Sequence, residues 1–234
     1  MSPRRVPVSR RDRPAKPPLS RAGAVGVALR IMREEGLEKL TMRRLASELD
    51  TGPASLYVYV QNMAELHGAI LDELLADLRL PTAGAGERWR AELIALMREY
   101  TGMLFGYPSL ARSVLTLRPS GPHYLRFVEA VLGLLREGGV PVGQAAWGVD
   151  LLLQHGTAAA AEHGTRREIV GAEEEVRMFE LALREASEAE HPNIAWTRDD
   201  LFAGTGPQRL TWAFAALIAG IESVARPAPE IAED

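Results

Sequence analysis

The 234-residue chain contains no cysteine. Disulfides and thiolate metal sites are therefore excluded, and a reducing compartment, the cytoplasm, is the expected setting. No uninterrupted apolar run approaches the roughly 20 residues of a membrane-spanning helix. The apolar stretch AGAVGVAL behind the arginine-rich start is short and ends at Arg30, which is not the pattern of a secretory or twin-arginine signal. Period-two alternation is missing outside Leu56 to Val60 (LYVYV), and no internal repeat is visible. These absences leave an all-α chain, long enough to build a core without staples.

Charge is unevenly distributed. Residues 1–62 hold twelve Arg or Lys against six Asp or Glu, a net of +6, and the total of −4 leaves −10 for residues 63–234. A basic module for a polyanion joined to an acidic body accounts for that asymmetry, and a solvated basic tail is the alternative. Residues 1–18, with five prolines and six basic residues, read as a flexible arm.

From Ser20 the pattern turns helical, with Val25, Ala28, Leu29 and Met32 at three- and four-residue spacing and a glycine stop at Gly36. Thr41 suits the N-cap of a second helix carrying Leu45 and Leu49, with Ala46 small enough for a close crossing. DTGP at 50–53 breaks that helix, and Gly52 and Pro53 suit N-cap and N1 of a third over 53–60. By propensity LYVYV is a strand, but the turn starts a helix on which Leu56 and Val60 face Leu45 and Leu49. Two short helices so joined are a helix-turn-helix. Ala54, Ser55 and Val58 fall on the opposite face, flanked by Tyr57 and Tyr59, a surface ill suited to water alone. Arg43 and Arg44 stand at N2 and N3, where the helix dipole disfavours cations and a phosphate partner would be welcome.

The segment GLEKLTMRRLASELDTGPASLYVYVQNMAELHGAIL, residues 36–71, resembles the DNA-binding segment of the TetR family of transcriptional repressors, and the likeness extends back to about Ser20. RLTWAFAALIAGIESV, residues 209–224, more loosely resembles the last helix of tetracycline-repressor-like ligand-binding domains. The departures are Asp50, where the turn usually has glycine, and Met63, where the fourth helix usually starts with lysine. The resemblance implies that Thr41 and Arg43 contact DNA, that Ala54, Ser55 and Tyr59 approach bases, and that Tyr57 is a phosphate or packing residue. The recognition helix has no Arg, Lys, Asn or Gln before Gln61, so guanine readers must come from Arg43, Arg44 or the arm, while Ala54 and Val58 suit thymine methyls.

The resulting division is a basic arm (1–18), a helix-turn-helix domain (19–62), a ligand-binding and dimerisation domain (63–225) and a tail (226–234). A linking helix is expected over about 62–79, then helices at about 88–105, 108–117, 122–137, 142–164, 172–189 and 207–225, with 164–206 the loop-like or partly ordered excursion. The last helix is apolar nearly all round: Leu210, Phe214, Leu217 and Ile221 on one face and Trp212, Ala216, Ala219 and Ser223 on another. With Ala145, Val149, Leu152 and Ala159 of the helix over 142–164, that second face is the candidate homodimer interface, an intramolecular core being the alternative. Met97, Tyr100, Met103, Leu104, Tyr107, Leu110, Val114, His123, Tyr124, Phe127 and His155 read by themselves as core, and the resemblance implies an effector cavity among these helices that they would line.

His155 and Glu162 lie two turns apart, roughly 10 Å along a helix, and His163 points elsewhere, so neither a metal nor another cofactor is expected. A helical enzyme, or a small-molecule-binding protein without a DNA role, is the competing class. Against an enzyme, the chain has no Cys, and its five His form no recurring motif with Ser or Asp. The expectation is thus a ligand-responsive regulator that binds operator DNA as a homodimer, with no catalytic residues and no membrane association.

Overall fold

The computed structural model describes residues 19–81, 84–117 and 119–227. The basic arm and most of the tail lie outside these residues. Among the described residues the chain is helical throughout, without a strand. It divides into two compact units at Asn62 and Met63.

The first unit holds α1 (Arg21–Glu35), α2 (Met42–Glu48) and α3 (Pro53–Leu56). Ser20 caps α1, accepting from the Gly23 amide, and Gly36, at φ 92°, closes it. The unit's core is small: Ala24, Val25, Ala28, Ile31 and Met32 of α1 meet Leu40, Leu45, Ala46, Leu56 and Val60. LYVYV is indeed no strand, but regular α-helix stops at Leu56 instead of continuing to Val60. The chain goes on as a tighter turn in which Leu56 O accepts from both Tyr59 N and Val60 N. That extra winding lets Leu56 and Val60 both bury completely while the β-branched and aromatic residues between them stay out.

The second unit holds α4 (Met63–Leu75), α5 (Trp89–Phe105), α6 (Pro108–Val114), α7 (Pro122–Glu137), α8 (Val142–Glu168), α9 (Ala172–Glu185), α10 (Pro192–Leu201) and α11 (Gly206–Ser223). α4 ends four residues before the expected Arg79, because its last turns tighten to three-residue hydrogen bonds ahead of Pro81. The expected excursion over 164–206 is instead largely helical. α8 runs on to Glu168, and α9 and α10 follow as a pair packed on each other. Glu173, Glu174 and Glu175 form the first turn of α9, where negative charge suits the dipole.

α8 is the axle of this unit, packing on α5, α6, α7 and α11. Its glycines recur every eight residues on the packed side. A Cβ on Gly148 would lie 2.8 Å from Ile221, one on Gly156 2.7 Å from Thr101 Oγ1, and one on Gly164 2.2 Å from the Pro108 Cβ. Backbone-to-side-chain approach this close sets the crossings with α11, α5 and α6 in turn. Below them Tyr100 and Thr157 share a buried hydrogen bond of 2.6 Å. Burial pushes the Tyr100 phenol above its ordinary range, so it stays neutral.

α4 and α7 are joined by a carboxylate. Asp72, only 7% exposed, accepts from the Tyr124 amide at 2.8 Å and so occupies the N-cap position of α7. The N-cap residue itself is Gly121, and a Cβ there would stand 2.1 Å from the Asp72 carboxyl carbon. Only glycine leaves room for a neighbouring helix to supply the cap.

Candidate nucleic-acid interface and ligand cavities

In the first unit Thr41 caps α2, its hydroxyl accepting from the Arg44 amide at 3.0 Å. Gly52 and Pro53 begin α3 as N-cap and N1. The turn between the helices bonds Asp50 N to Ser47 O and Thr51 N to Ala46 O. Asp50 sits at φ 49°, the left-handed region that favours glycine and that aspartate tolerates better than most. The sequence departure at this position is therefore accommodated, not re-routed.

Leu45, Leu56 and Val60 interlock α2 with α3 and are fully buried. The opposite face is open: Ala54 and Ser55 are exposed, Tyr57 is 52% and Val58 79% exposed, and Tyr59 is half-buried. In a helix-turn-helix the second of the two helices is the one that lies in the major groove.

The two arginines of α2 divide. Arg43 is exposed. Arg44, expected to meet phosphate, has both guanidinium nitrogens engaged by carboxylates, Glu48 at 2.5 Å and Glu35 at 2.7 Å. Arg30 joins the same cluster, reaching Glu48 at 2.6 Å and Glu34 at 3.2 Å. The Arg44 hydrogen bond, then that of Arg30, holds the Glu48 carboxyl below its usual range. Arg44 thus ties α2 to α1, and the cation at the wrong helix end is explained by Glu35 and Glu48 as much as by any phosphate. Sequence periodicity gave no sign of this, since Glu35 and Arg44 belong to different helices.

Of the candidate cavity residues, Tyr100, Val114 and Tyr124 come together, with Leu71, Leu153, Gln154 and Thr157, around a space of about 90 Å³. Met97, Leu104, Leu110 and Phe127 are completely enclosed and belong to the core, Phe127 stacking against Tyr100 with ring centres 4.9 Å apart. Met103, Tyr107 and His123 are half-buried, and His123 pairs with Arg126 one turn on. His155 stands apart from this set, edge-on to Phe214 with ring centres 5.3 Å apart, and lines a different space of about 820 Å³ between α5, α8 and α11. Sequence reading had no access to that second space, because it depends on how three helices cross.

The candidate dimer residues also divide. Trp212 is 74% exposed, and Ala216, Ala219 and Ser223 are exposed with it along α11. Ala145 and Leu152 are buried inside the protomer, and Val149 and Ala159 are half-buried, so the expected stripe on α8 is turned largely inward. The outward residues are Trp147 and Leu151, which border an apolar groove with Ala216, Leu217 and Gly220. A period-3.6 pattern identifies a stripe but not which neighbour covers it, and α8 is apolar on both sides.

The fold and the exposed face of its helix-turn-helix define the class of DNA-binding regulatory proteins. Residues 25–70 match the family described as bacterial regulatory proteins, tetR family, and residues 80–225 match the tetracyclin repressor-like C-terminal domain. The chain belongs to the tetR family, whose members are regulators and not enzymes. It spans about half the length of the first curated relatives it matches. The HTH-type transcriptional repressor DrrR1 of Streptomyces coeruleorubidus is 37% identical over 131 residues, 56% of this chain and 48% of that one. Among solved structures, the transcription regulator SCO7704 of Streptomyces coelicolor is 53% identical with a TM-score of 0.76, covering 92% of this chain and 100% of that one. ActR of Streptomyces coelicolor, in its apo form, is 32% identical with a TM-score of 0.79, covering 89% and 97% respectively. ActR has also been solved in complex with actinorhodin.

No helix among the described residues is long and apolar enough to cross a membrane.

Proposed function

We propose that this protein is a ligand-responsive transcriptional regulator, a repressor that leaves a pseudo-palindromic operator when a small molecule binds its helical body. The observation that carries the reading is the exposed face Ala54, Ser55, Tyr57, Val58 and Tyr59, held outward by the burial of Leu56 and Val60. Two copies of α3 in a homodimer read two half-sites about one helical turn, or a small multiple of it, apart. Arg43 and the Thr41 end of α2 meet phosphate, Ala54 and Val58 meet thymine methyls, and Ser55 and Tyr59 approach base edges. Arg44 is foremost a clamp between α1 and α2. The homodimer forms through the exposed face of α11 with Trp147 and Leu151 of α8, and the protein acts in the cytoplasm.

The effector site is the space beside Tyr100, Tyr124 and Thr157. At about 90 Å³ it is too small for a drug-sized molecule, which takes several hundred Å³. A ligand therefore enters only if α4 or α7 moves, and the Asp72 cap on the Tyr124 amide is the bond such a movement stretches. A ligand that needs the moved state favours it, and DNA that needs the resting state weakens the ligand by the same factor.

Selection of bound duplexes from a random-sequence pool tests the regulator reading. Enrichment of a two-fold symmetric site is expected, with Arg43→Ala weakening all sequences alike and Ser55→Ala relaxing preference at particular positions by roughly 1–3 kcal/mol. A pool that shows no enrichment refutes it.

A further inference from the structure

The larger space is a different kind of site. Its walls are small or apolar: Ala95, Gly102 and Phe105 of α5, Ala159 of α8, and Leu210 and Ala213 of α11. α11 approaches α8 most closely near one end, where Gly148 meets Ile221 and Gln144 donates to the carbonyls of Ile221 and Glu222 at 2.8 and 3.1 Å. The Gly206–Ala213 end of α11 instead faces the wedge. At about 820 Å³ the wedge already has the volume of a drug-sized ligand, with no helix displaced.

Its charged groups are mostly positive. Arg98, Arg167 and Arg209 line it together with His155 and His163, against one carboxylate, Glu99, which accepts from the Arg79 amide at 3.0 Å. Arg209 is committed to the carbonyls of Leu201 and Ala203 at 2.5 and 2.9 Å, which leaves Arg98 and Arg167 as the cations at the rim. Deeper in, His155 Nε2 is buried without a hydrogen-bond partner among the described residues. A buried ring nitrogen with no partner forfeits the hydrogen bond it made in water, and a ligand oxygen would restore it. Phe105 and the His163 ring, 5.9 Å apart and edge-on, add an aromatic wall.

We propose that the wedge between α5, α8 and α11 binds an amphipathic aromatic anion, its ring system against Phe105, Ala159 and Ala213 and its acidic group toward Arg98, Arg167 and His155. This site shares no lining residue with the space beside Tyr124, and it stands whether or not that space holds the effector.

The test needs no DNA. The full chain is titrated with 8-anilinonaphthalene-1-sulfonate, an aromatic anion that fluoresces when bound, and with N-phenyl-1-naphthylamine, the same rings without the sulfonate. Saturable binding at one site per protomer is expected, about tenfold tighter for the anion. Arg98→Gln with Arg167→Gln should remove that tenfold preference and leave the neutral probe unchanged. Ala159→Trp, or Ala213→Phe from the opposite wall, should abolish both probes, with circular dichroism reporting that each variant is folded. Undiminished binding of the anion in either folded filled variant overturns the proposal, as does a preference for the anion that survives loss of both arginines. Filled variants that turn the dimer into a monomer in sedimentation also overturn it, because a second copy of the chain is then the occupant.

Discussion

The two units hold their helices together in different ways. In the first, short helices meet over a modest core, and the clamp between α1 and α2 is a set of solvent-accessible ion pairs, Arg30–Glu48–Arg44–Glu35. In the second, α8 contacts its neighbours through glycine, and the enclosed polar links of Tyr100 to Thr157 and Asp72 to the Tyr124 amide stand beside exposed pairs such as Arg90–Glu222 and Arg112–Glu168. Exposed pairs are screened by salt and contribute little each, whereas close crossings and buried caps are felt in full whatever the solvent. The comparison predicts that the clamp of the first unit yields to salt and acid, and that the glycine crossings of the second yield to added volume.

The largest effect is expected at Gly164. Valine there must push against the Pro108 ring, which cannot rotate away, and should cost about 3 kcal/mol in urea unfolding. Gly148→Ala, whose new methyl meets the flexible Ile221, should cost about 1 kcal/mol. Equal losses at the two positions would show that α8 adjusts as a whole and that the glycines do not set separate crossings.

Next comes the cap supplied from α4. Asp72→Ala should destabilise by roughly 1–2 kcal/mol and speed hydrogen exchange at the Tyr124 amide. Gly121→Ser alone should also destabilise, because its side chain meets the Asp72 carboxylate. In the Asp72→Ala background the same serine supplies its own cap and should recover part of the loss. Simple additivity of the two substitutions would mean that the carboxylate does not act as a cap.

A smaller effect is expected in the turn of the first unit. Asp50→Val should cost roughly 1–2 kcal/mol, since a β-branched residue resists φ 49°. Asp50→Gly should cost less than Asp50→Val, because glycine adopts this φ without strain.

The smallest effect concerns pH and the clamp of the first unit. Glu48 is held below its unfolded value by Arg44 and Arg30, so its contribution is fully present above the unfolded carboxylate range, roughly pH 4.3, and is lost as pH falls through the folded value. Glu48→Gln should therefore flatten the acid side of the first unit's stability profile, followed by hydrogen exchange at amides of α2, and should reduce its salt dependence. The pH and salt dependence of the body's own amides should be the same in the Glu48→Gln variant as in the parent.

Much of the first unit was legible because its signals are local. Thr41, Gly52 and Pro53 mark helix ends by chemistry that acts within one turn, and Leu45, Leu56 and Val60 were placed by spacing alone. What escaped was any bond between helices, such as Glu35 to Arg44, and the tighter winding after Leu56. In the body, helix positions were readable but contents were not. Leu152 and Leu151 are neighbours in sequence and equally apolar, yet one is core and the other faces out. α10 was missed because its exposed, mixed surface has no apolar stripe to announce it.

The sequence by itself determined an all-α chain of the tetR type, the helix-turn-helix and the residues it exposes, because caps, breakers and a 3.6-residue period act over a few residues and need no partner. Only the tertiary structure decided which spaces are closed and which are open. The space beside Tyr124 is small because Gly156 lets α8 press on Tyr100 and Thr101, and the wedge is large where the Gly206–Ala213 end of α11 stands off α5 and α8. Volume between helices is a difference between crossings, and no single helix carries it in its pattern.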